Sequence, residues 1–205
     1  MQLKLKIFPK LIFLIISIFI FSKVMAYEEP KYTVIKENNI YEIRYYNDRL
    51  AVQTTNSYND RGFRRLFNYI SGSNKKSAKV KMTSPVTESE KIEMTVPVTE
   101  FEENTQMVMQ FYLPSNYTID TAPIPSDPKV ELVNIKGGYF AVITYSGRLT
   151  KSNFEKHKKL LKEKLIQEGI EIISKEIKAT YNSPYTLPVF RRNEVMIRII
   201  FDEKT

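Results

Sequence analysis

The chain has 205 residues, of which 42% are hydrophobic and 26% charged, a composition typical of one globular domain or of two small ones sharing a core. The formal charge is +8, but four lysines and no acid lie within the first 26 residues. The rest is therefore only mildly basic, unlike a nucleic-acid-binding protein, and the lack of cysteine excludes disulfides, thiolate metal sites and cysteine catalysis.

Residues 1–26 have the pattern of a secretory signal. Three lysines precede an almost unbroken apolar run from Leu11 to Phe21, and Ala26 supplies the small residue of a cleavage site. The run is too short to span a bilayer comfortably, so we expect cleavage after Ala26 rather than a membrane anchor. We therefore expect an exported protein, periplasmic or secreted, with no stable membrane span after cleavage and no nucleic-acid partner.

Three strands and a helix are predicted next, at residues 32–36, 40–46, 49–55 and 61–70. The helix is amphipathic, with an apolar stripe formed by Phe63, Leu66, Phe67 and Ile70. On the helical wheel Arg65 lies nearly opposite, toward solvent, while Arg64 and Asn68 lie on the flank of the stripe.

A doubled segment follows the helix. Residues 81–87 read Lys-Met-Thr-Ser-Pro-Val-Thr, and residues 93–99 read Glu-Met-Thr-Val-Pro-Val-Thr. Both copies alternate with period two, which is typical of half-buried strands. We predict that they form an antiparallel hairpin with Val86 opposite Ile92, in which each proline marks a bulge or an edge because it cannot donate to a ladder.

The second half of the chain repeats the element order of the first. A strand at residues 107–113 and a proline-rich boundary at 114–128 are followed by further predicted elements. These are strands at 131–133 and 139–144, a helix from Ser152 to Glu168 stopped by Gly169, and strands at 170–180 and 194–201. We predict one domain over residues 27–205, built from half-repeats at about 30–114 and 128–203, of α+β class with antiparallel pairing.

Three stretches together resemble the SOUL haem-binding protein family. They are residues 62–72 (Gly-Phe-Arg-Arg-Leu-Phe-Asn-Tyr-Ile-Ser-Gly), the paired Met-Thr-x-Pro-Val, and residues 181–195 (Tyr-Asn-Ser-Pro-Tyr-Thr-Leu-Pro-Val-Phe-Arg-Arg-Asn-Glu-Val). The resemblance implies a distorted antiparallel β-barrel with internal pseudo-twofold symmetry, flanked by two helices. It also implies that haem or a related tetrapyrrole binds in a shallow apolar groove beside the first helix. The fold is similar to the effector-binding domains of some bacterial regulators.

Haem asks a protein for an apolar slot, cations for its propionates and, optionally, an axial ligand. By position, the resemblance implies that Phe63, Arg64, Phe67 and Asn68 face the groove, with Asp60 just before them. The basic residues that the family has at the last two of these places are replaced here by Asn68 and Asp60. Arg64 is therefore the cation that would substitute for them in binding the propionates. The competing interpretation is that the phenylalanines are plain core and Arg64 is solvated.

Axial ligation of the iron has few candidates. His157, the single histidine, lies near the apolar stripe of the second helix, as an iron ligand or as a core-edge histidine. Tyr181 and Tyr185 are possible oxygen ligands, and the strand methionines are interpreted as barrel filling. We expect haem to be bound non-covalently, mainly by hydrophobic contact, with an axial ligand not assigned or absent.

Other cations have competing interpretations. Arg191 and Arg192 either reach an anionic ligand or pair with acids such as Glu194 or Glu42. The lysine-rich stretch 151–164 is interpreted as a solvated face, because no aromatic belt accompanies it as membrane binding would require.

We predict a monomeric, non-enzymatic tetrapyrrole binder acting as a carrier or buffer. A single histidine excludes histidine metal clusters, and neither a Gly-x-Ser-x-Gly elbow nor a glycine-rich phosphate loop occurs. One alternative is a small-ligand hydrolase on the same barrel, which needs acids such as Glu42, Glu93 and Glu131 to converge. The other is a protein-interaction module, which an exposed apolar patch without a pocket would indicate.

Overall fold

The structure is a computed structural model that describes residues 27–55, 61–76 and 89–202. Within those ranges the chain forms twelve strands, two α-helices and one short 3-10 turn, Pro188–Phe190. The strands are β1 (Tyr32–Glu37), β2 (Glu42–Tyr46), β3 (Arg49–Thr55), β4 (Asn74–Lys75), β5 (Val98–Glu103), β6 (Gln106–Tyr112), β7 (Ile124–Pro125), β8 (Glu131–Ile135), β9 (Gly138–Tyr145), β10 (Glu171–Ile172), β11 (Ile177–Thr180) and β12 (Asn193–Ile200). The helices are α1 (Arg61–Ile70) and α2 (Lys151–Gln167).

Nine of these strands form one antiparallel sheet in the order β1-β2-β9-β12-β11-β5-β6-β3-β8. The sheet is strongly curled into a half-barrel, β10 pairs with the end of β12, and β4 and β7 form a separate two-stranded ribbon. Helix α1 packs on β3 and β6, and helix α2 packs on β9 and β12. The predicted α+β fold, a distorted antiparallel barrel with two flanking helices, is confirmed.

The strand order from β2 to β8 is a palindrome. The first four strands, β2, β9, β12 and β11, correspond in turn to β8, β3, β6 and β5, which are the last four read from the other end. The symmetry point lies between β11 and β5. Each half lends a strand to the other, since β2 pairs with β9 and β8 pairs with β3. The two predicted pseudo-symmetric repeats are therefore confirmed, and their sheets interlock.

Each helix has its own hydrophobic cluster. Helix α2 buries Leu161 and Leu165 completely against strand residues of β9 and β12. Helix α1 buries Leu66, Tyr69 and Ile70 against β3 and β6. Complete burial of a leucine side chain contributes about 1.5–3 kcal/mol, so these residues stabilise the packing of both helices on the sheet.

The ends of α2 follow from local chemistry. The side chain of Thr150 accepts a hydrogen bond from the Asn153 N–H at 3.2 Å, which caps the first turn. Gly169 adopts a left-handed φ of +68°, and the N–H of Ile170 then donates to the Leu165 carbonyl at 2.9 Å. Gly169 is thus the predicted helix stop.

The doubled segment does not form the predicted hairpin in its second copy. Residues 77–88, including Val86, lie outside the described residues. Over residues 92–97 the chain forms only an isolated bridge, and the regular strand begins at Val98, after Pro97, which has no N–H to donate to a ladder. The hairpin that forms here instead joins β5 to β6.

Two other predictions about this sheet have different outcomes. The period-two alternation holds only at Ile92, which is buried, and Glu93, which is exposed; it fails beyond them, because Thr95 and Pro97 are buried along with Val96. The strand predicted at residues 170–180 is interrupted, and only β10 and β11 are regular within it.

A buried carboxylate, that of Glu194 on β12, joins several elements. Its side chain is 0% exposed. Its Oε1 accepts hydrogen bonds from Arg44 Nη1 at 3.1 Å, from Arg192 Nε at 3.0 Å and from Thr144 Oγ1 at 3.2 Å. Its Oε2 accepts the hydroxyl of Tyr181 at 2.7 Å. We call these five residues the Glu194 network.

Both arginines of the network also reach a second carboxylate. Arg44 Nε lies 2.5 Å from Glu42, and Arg192 Nη1 lies 3.0 Å from Glu29. Burial alone would lower the pKa of both guanidinium groups. The attraction of nearby negative groups, Glu194 among them, raises the pKa of both above the ordinary arginine value. Both side chains therefore remain charged.

Replacing Glu194 by glutamine should destabilise the fold strongly. The variant removes the counter-charge that Arg44, 2% exposed, shares with Arg192, 32% exposed, and breaking a buried pair costs roughly 3–5 kcal/mol. Denaturant unfolding measures the change. Glu100→Gln is the matched control, because the Lys178–Glu100 pair at 2.6 Å is partly exposed and is worth about 1 kcal/mol or less. Equal losses in the two variants would contradict the assigned role.

The fold should lose stability above the ordinary pKa of tyrosine. Burial raises the pKa of Tyr46 and of Tyr145 to about 12. Between about pH 10 and 12 the unfolded chain releases these protons and the folded chain keeps them, so the free energy of unfolding falls as pH rises. Each tyrosine contributes up to about 1.4 kcal/mol per pH unit.

Unfolding curves recorded at several alkaline pH values test this dependence. The slope of the free energy of unfolding against pH should be shallower in Tyr145→Phe than in the unchanged chain. An unchanged slope would show that the Tyr145 hydroxyl does not titrate differently in the two states.

Candidate functional site

The outer surface of α1 carries two exposed aromatic rings. Phe63 is 39% exposed and Phe67 is 45% exposed, and their rings stack with centroids 6.0 Å apart at 12°. Phe63 also meets the buried ring of Phe111 edge-on at 5.2 Å. Because Leu66 and Ile70 take the inward side of the helix, the predicted stripe is divided between core and surface. We call Phe63 and Phe67 the aromatic face.

Polar residues border the aromatic face. Arg64 and Asn68 are both exposed, and Arg64 makes no ion pair or hydrogen bond with its side chain among the described residues. An unpaired guanidinium on the border of an apolar surface is suited to a carboxylate of a ligand lying on that surface. Asp60 lies outside the described residues.

Arg65 differs from the sequence prediction. It was expected to point to solvent, but its side chain is only 24% exposed and its Nε lies 3.8 Å from Asp127 Oδ2. The loop carrying Asp127 and Pro125 covers this flank of α1, which the helical wheel could not show. A cavity of about 110 Å³ lies here and is lined partly by Asn68.

This cavity is too small to enclose a tetrapyrrole, since pockets that enclose drug-sized ligands measure about 300–1,000 Å³. A flat ring would instead lie on the aromatic face, where the exposed phenylalanines can be covered. The residues present therefore fit a ring held on the surface by apolar contact, with Arg64 as the cation available to an acidic substituent.

His157 lies on the other helix. It is half-buried, its ring stacks on Tyr145 with centroids 4.0 Å apart at 10°, and its Nδ1 is 2.7 Å from the Asn153 carbonyl oxygen. Helix α2 packs on β9 and β12, whereas α1 packs on β3 and β6. The structure therefore does not bring His157 together with the aromatic face.

The stretch 181–195 is used mainly for structure. Tyr181 donates to Glu194, and burial raises its pKa above the ordinary tyrosine value. Arg192 pairs with Glu194, so that interpretation is confirmed. Arg191 pairs with no acid among the residues described; it donates instead to backbone carbonyls of its own loop. Tyr185, 95% exposed, lies on that loop and not on α1.

Arg49 is a second notable cation, and the sequence analysis did not single it out. Its guanidinium lies over the rings of Tyr46 at 4.3 Å and Tyr112 at 5.0 Å, and its Nε is buried with no hydrogen-bond partner in the part of the chain that the structure describes. It lines a cavity of about 200 Å³ with residues of the 28–31 segment. In the sequence Arg49 follows the turn residues Asn47 and Asp48, so nothing in the pattern distinguishes it from a solvated arginine.

The three acids considered above for a hydrolase do not converge. Glu42 is bonded to Arg44 on β2, Glu131 lies on β8 at the opposite end of the sheet, and Glu93 is exposed between them in the chain. Over residues 27–55, 61–76 and 89–202, no group of three or more histidines or acids is placed to hold a metal ion. Neither helix in those ranges is long and apolar enough to cross a bilayer.

Solved structures with a similar fold come from distant proteins. A crystal structure of a hydrolase from Listeria innocua has a TM-score of 0.52 at 10% identity, covering 80% of this chain and 94% of that one. The C-terminal domain of EcmrR has a TM-score of 0.53 at 7% identity, covering 78% of this chain and 98% of that domain. At these identities the likeness concerns the fold alone.

Sequence comparison is more specific. The human protein named heme-binding protein 2 (Homo sapiens) is 28% identical over 165 residues, which are 77% of this chain and 77% of that protein. The family model described as SOUL heme-binding protein matches residues 27–198. With a match over most of its length, the chain belongs to the SOUL haem-binding protein family.

Proposed function

We propose that this is an exported haem- or tetrapyrrole-binding protein that holds the ring non-covalently against the aromatic face of α1 and acts as a carrier or buffer. The observation that carries the proposal is the exposed, stacked pair Phe63 and Phe67 beside Arg64, which is unpaired among the described residues, in a chain of a haem-binding family. The proposal includes a single ring per monomer and no catalytic step.

Apolar contact supplies the affinity in this arrangement. Two phenylalanine rings that are 39% and 45% exposed leave apolar area in water, and a planar macrocycle covers it while stacking in the offset geometry that aromatic groups prefer. The contact of Phe63 with Phe111 holds the face against the core, so little ordering is needed when the ring binds.

Charge supplies the orientation. A haem propionate within reach of Arg64 forms a charge-assisted hydrogen bond, and Asn68 offers an uncharged amide on the same flank. Bound haem would supply the iron and the Soret absorption. The chain supplies the aromatic face and the Arg64 guanidinium. With His157 on the other helix, contact rather than ligation holds the ring, which suits a protein that must release its ligand.

A hydrolase on this fold is the alternative, but no particular arrangement of side chains favours it. The named hydrolase among the structural relatives is 10% identical and shares the fold alone. The candidate acids Glu42, Glu93 and Glu131 lie apart, as described above.

Export should be visible as removal of residues 1–26. Protein recovered from outside the cytoplasm of a bacterial host expressing the whole chain should begin at Tyr27 by intact mass and N-terminal sequencing. Leu14→Arg places a charge in the apolar run, so this variant should keep residues 1–26 and stay inside. Recovery of the full-length chain outside the cytoplasm would contradict cleavage.

Haemin titration of the protein that begins at Tyr27 tests the aromatic face. We expect a saturable, shifted Soret band that Phe67→Asp and Arg64→Glu weaken by about tenfold or more, because they remove apolar contact and reverse the propionate's counter-charge. Matched controls on α2 are Ile166→Asp, at a side chain 68% exposed, and Lys156→Glu, also exposed; both should bind like the unchanged chain.

The two kinds of failure in this experiment have different meanings. If the unchanged protein shows no shifted band, the chain does not bind haem and the proposed function falls. If all four variants bind equally well, the function stands and its location on α1 is wrong.

A further inference from the structure

The loop between β11 and β12 exposes an unusual amount of apolar surface. Tyr185 is 95% exposed, Leu187 63%, Val189 71% and Phe190 72%. Single exposed apolar residues are ordinary, but four within six residues form a patch of the kind that binds a partner or a membrane. We call residues 183–190 the apolar loop.

Hydrogen bonds hold the apolar loop in this conformation. Arg191 donates from Nε to the Thr186 carbonyl at 2.8 Å and from Nη2 to the Pro184 carbonyl at 2.6 Å. The carbonyl of Pro188 accepts the N–H of Gly147 at 2.9 Å, which ties the loop to the turn before α2. These bonds keep the apolar side chains pointing outward, and little conformational entropy remains to be lost on binding.

The surroundings of the apolar loop are basic. Residues 177–193 contain no aspartate or glutamate, and neither do residues 136–154, which include the Gly147 turn. Arg148 and Lys151 follow that turn, are both exposed, and make no ion pair with their side chains within the described part of the chain. The apolar loop thus lies next to two cations that are unpaired within the described residues, and its own segment contains no acid. The Glu29 carboxylate that reaches the end of the loop is paired with Arg192.

We propose that the apolar loop inserts into the interfacial region of a bilayer that contains anionic lipids, with Arg148 and Lys151 against the headgroups. Aromatic and aliphatic side chains beside free cations are the combination that favours the membrane–water interface. The lysine-rich start of α2 has no aromatic belt in its own sequence. The apolar loop, which is hydrogen-bonded to the turn before α2, supplies the exposed aromatic side chains. The membrane contact does not depend on tetrapyrrole binding at α1.

Vesicle co-sedimentation of the protein that begins at Tyr27 tests the proposal. We expect binding to phosphatidylcholine vesicles that contain phosphatidylglycerol, and a loss of about tenfold or more in Leu187→Ser/Phe190→Ser. The matched control is Ile119→Ser/Ile124→Ser, because both of these side chains are 53% exposed on a different segment; it should bind as before. Circular dichroism checks that both double variants keep the fold.

Charge and insertion have separate readouts. Arg148→Glu/Lys151→Glu should weaken binding to the anionic vesicles, as should added salt. Because the chain has no tryptophan, Phe190→Trp provides a single tryptophan, which can be excited selectively over the tyrosines and whose emission should shift to the blue on vesicle addition. Ile124→Trp serves as the unshifted control.

Three results would overturn the proposal. One is equal sedimentation of the unchanged chain and Leu187→Ser/Phe190→Ser. Another is an unshifted Phe190→Trp emission in the presence of vesicles. The third is a lipid-free dimer in light scattering that the Leu187→Ser/Phe190→Ser variant abolishes, which would make the apolar loop an interface between two copies of the chain.

Discussion

A fully buried carboxylate with its two guanidinium partners is the constraint on which the rest of the structure depends. Glu194 has no access to water, so its charge is tolerable only with close cations and with hydrogen bonds to its oxygens. One cation, Arg44, comes from β2 in the first half of the chain, while Glu194 and Arg192 belong to the second half. The charge balance is therefore complete only when β2 lies beside β9, where the exchange of strands between halves puts it.

The same constraint explains why residues 181–195, one of the three stretches that resemble the family, contribute little directly to the proposed ligand site. In residues 181–195 the polar groups of Tyr181, Arg192 and Glu194 are committed to one another, and Arg191 is committed to its loop. The exposed apolar side chains of this stretch, those of the apolar loop, take no part in these contacts. The proposed ring-binding surface lies instead on α1, where the polar groups of Arg64 and Asn68 remain available.

Much of the fold could be predicted because the local periodicity of apolar residues determines it. The bounds of α1 were predicted to the residue and those of α2 within one residue, and the repeated element order indicated the pseudo-symmetry. Periodicity fails where burial is decided by distant elements. A helical stripe does not show that Leu66 reaches the sheet while Phe67 stays in water. The alternation at 92–97 predicts an exposed face where Thr95 and Pro97 are in fact buried and no ladder forms. The loop that exposes Phe190 depends on contacts with Gly147 that no local pattern encodes.

The palindromic strand order also bears on how such a chain can arise. In an isologous dimer of identical half-length chains, each copy would give one strand to the other's sheet. The two sheets would then join through equivalent strands across a twofold axis. The pairing of β11 with β5 and the exchange of β2 for β8 have this geometry within one polypeptide. This is the architecture expected if the two subunits of a strand-swapped homodimer were joined into one chain. The two halves differ at their helices: one presents phenylalanines, and on the other a histidine stacks on tyrosine.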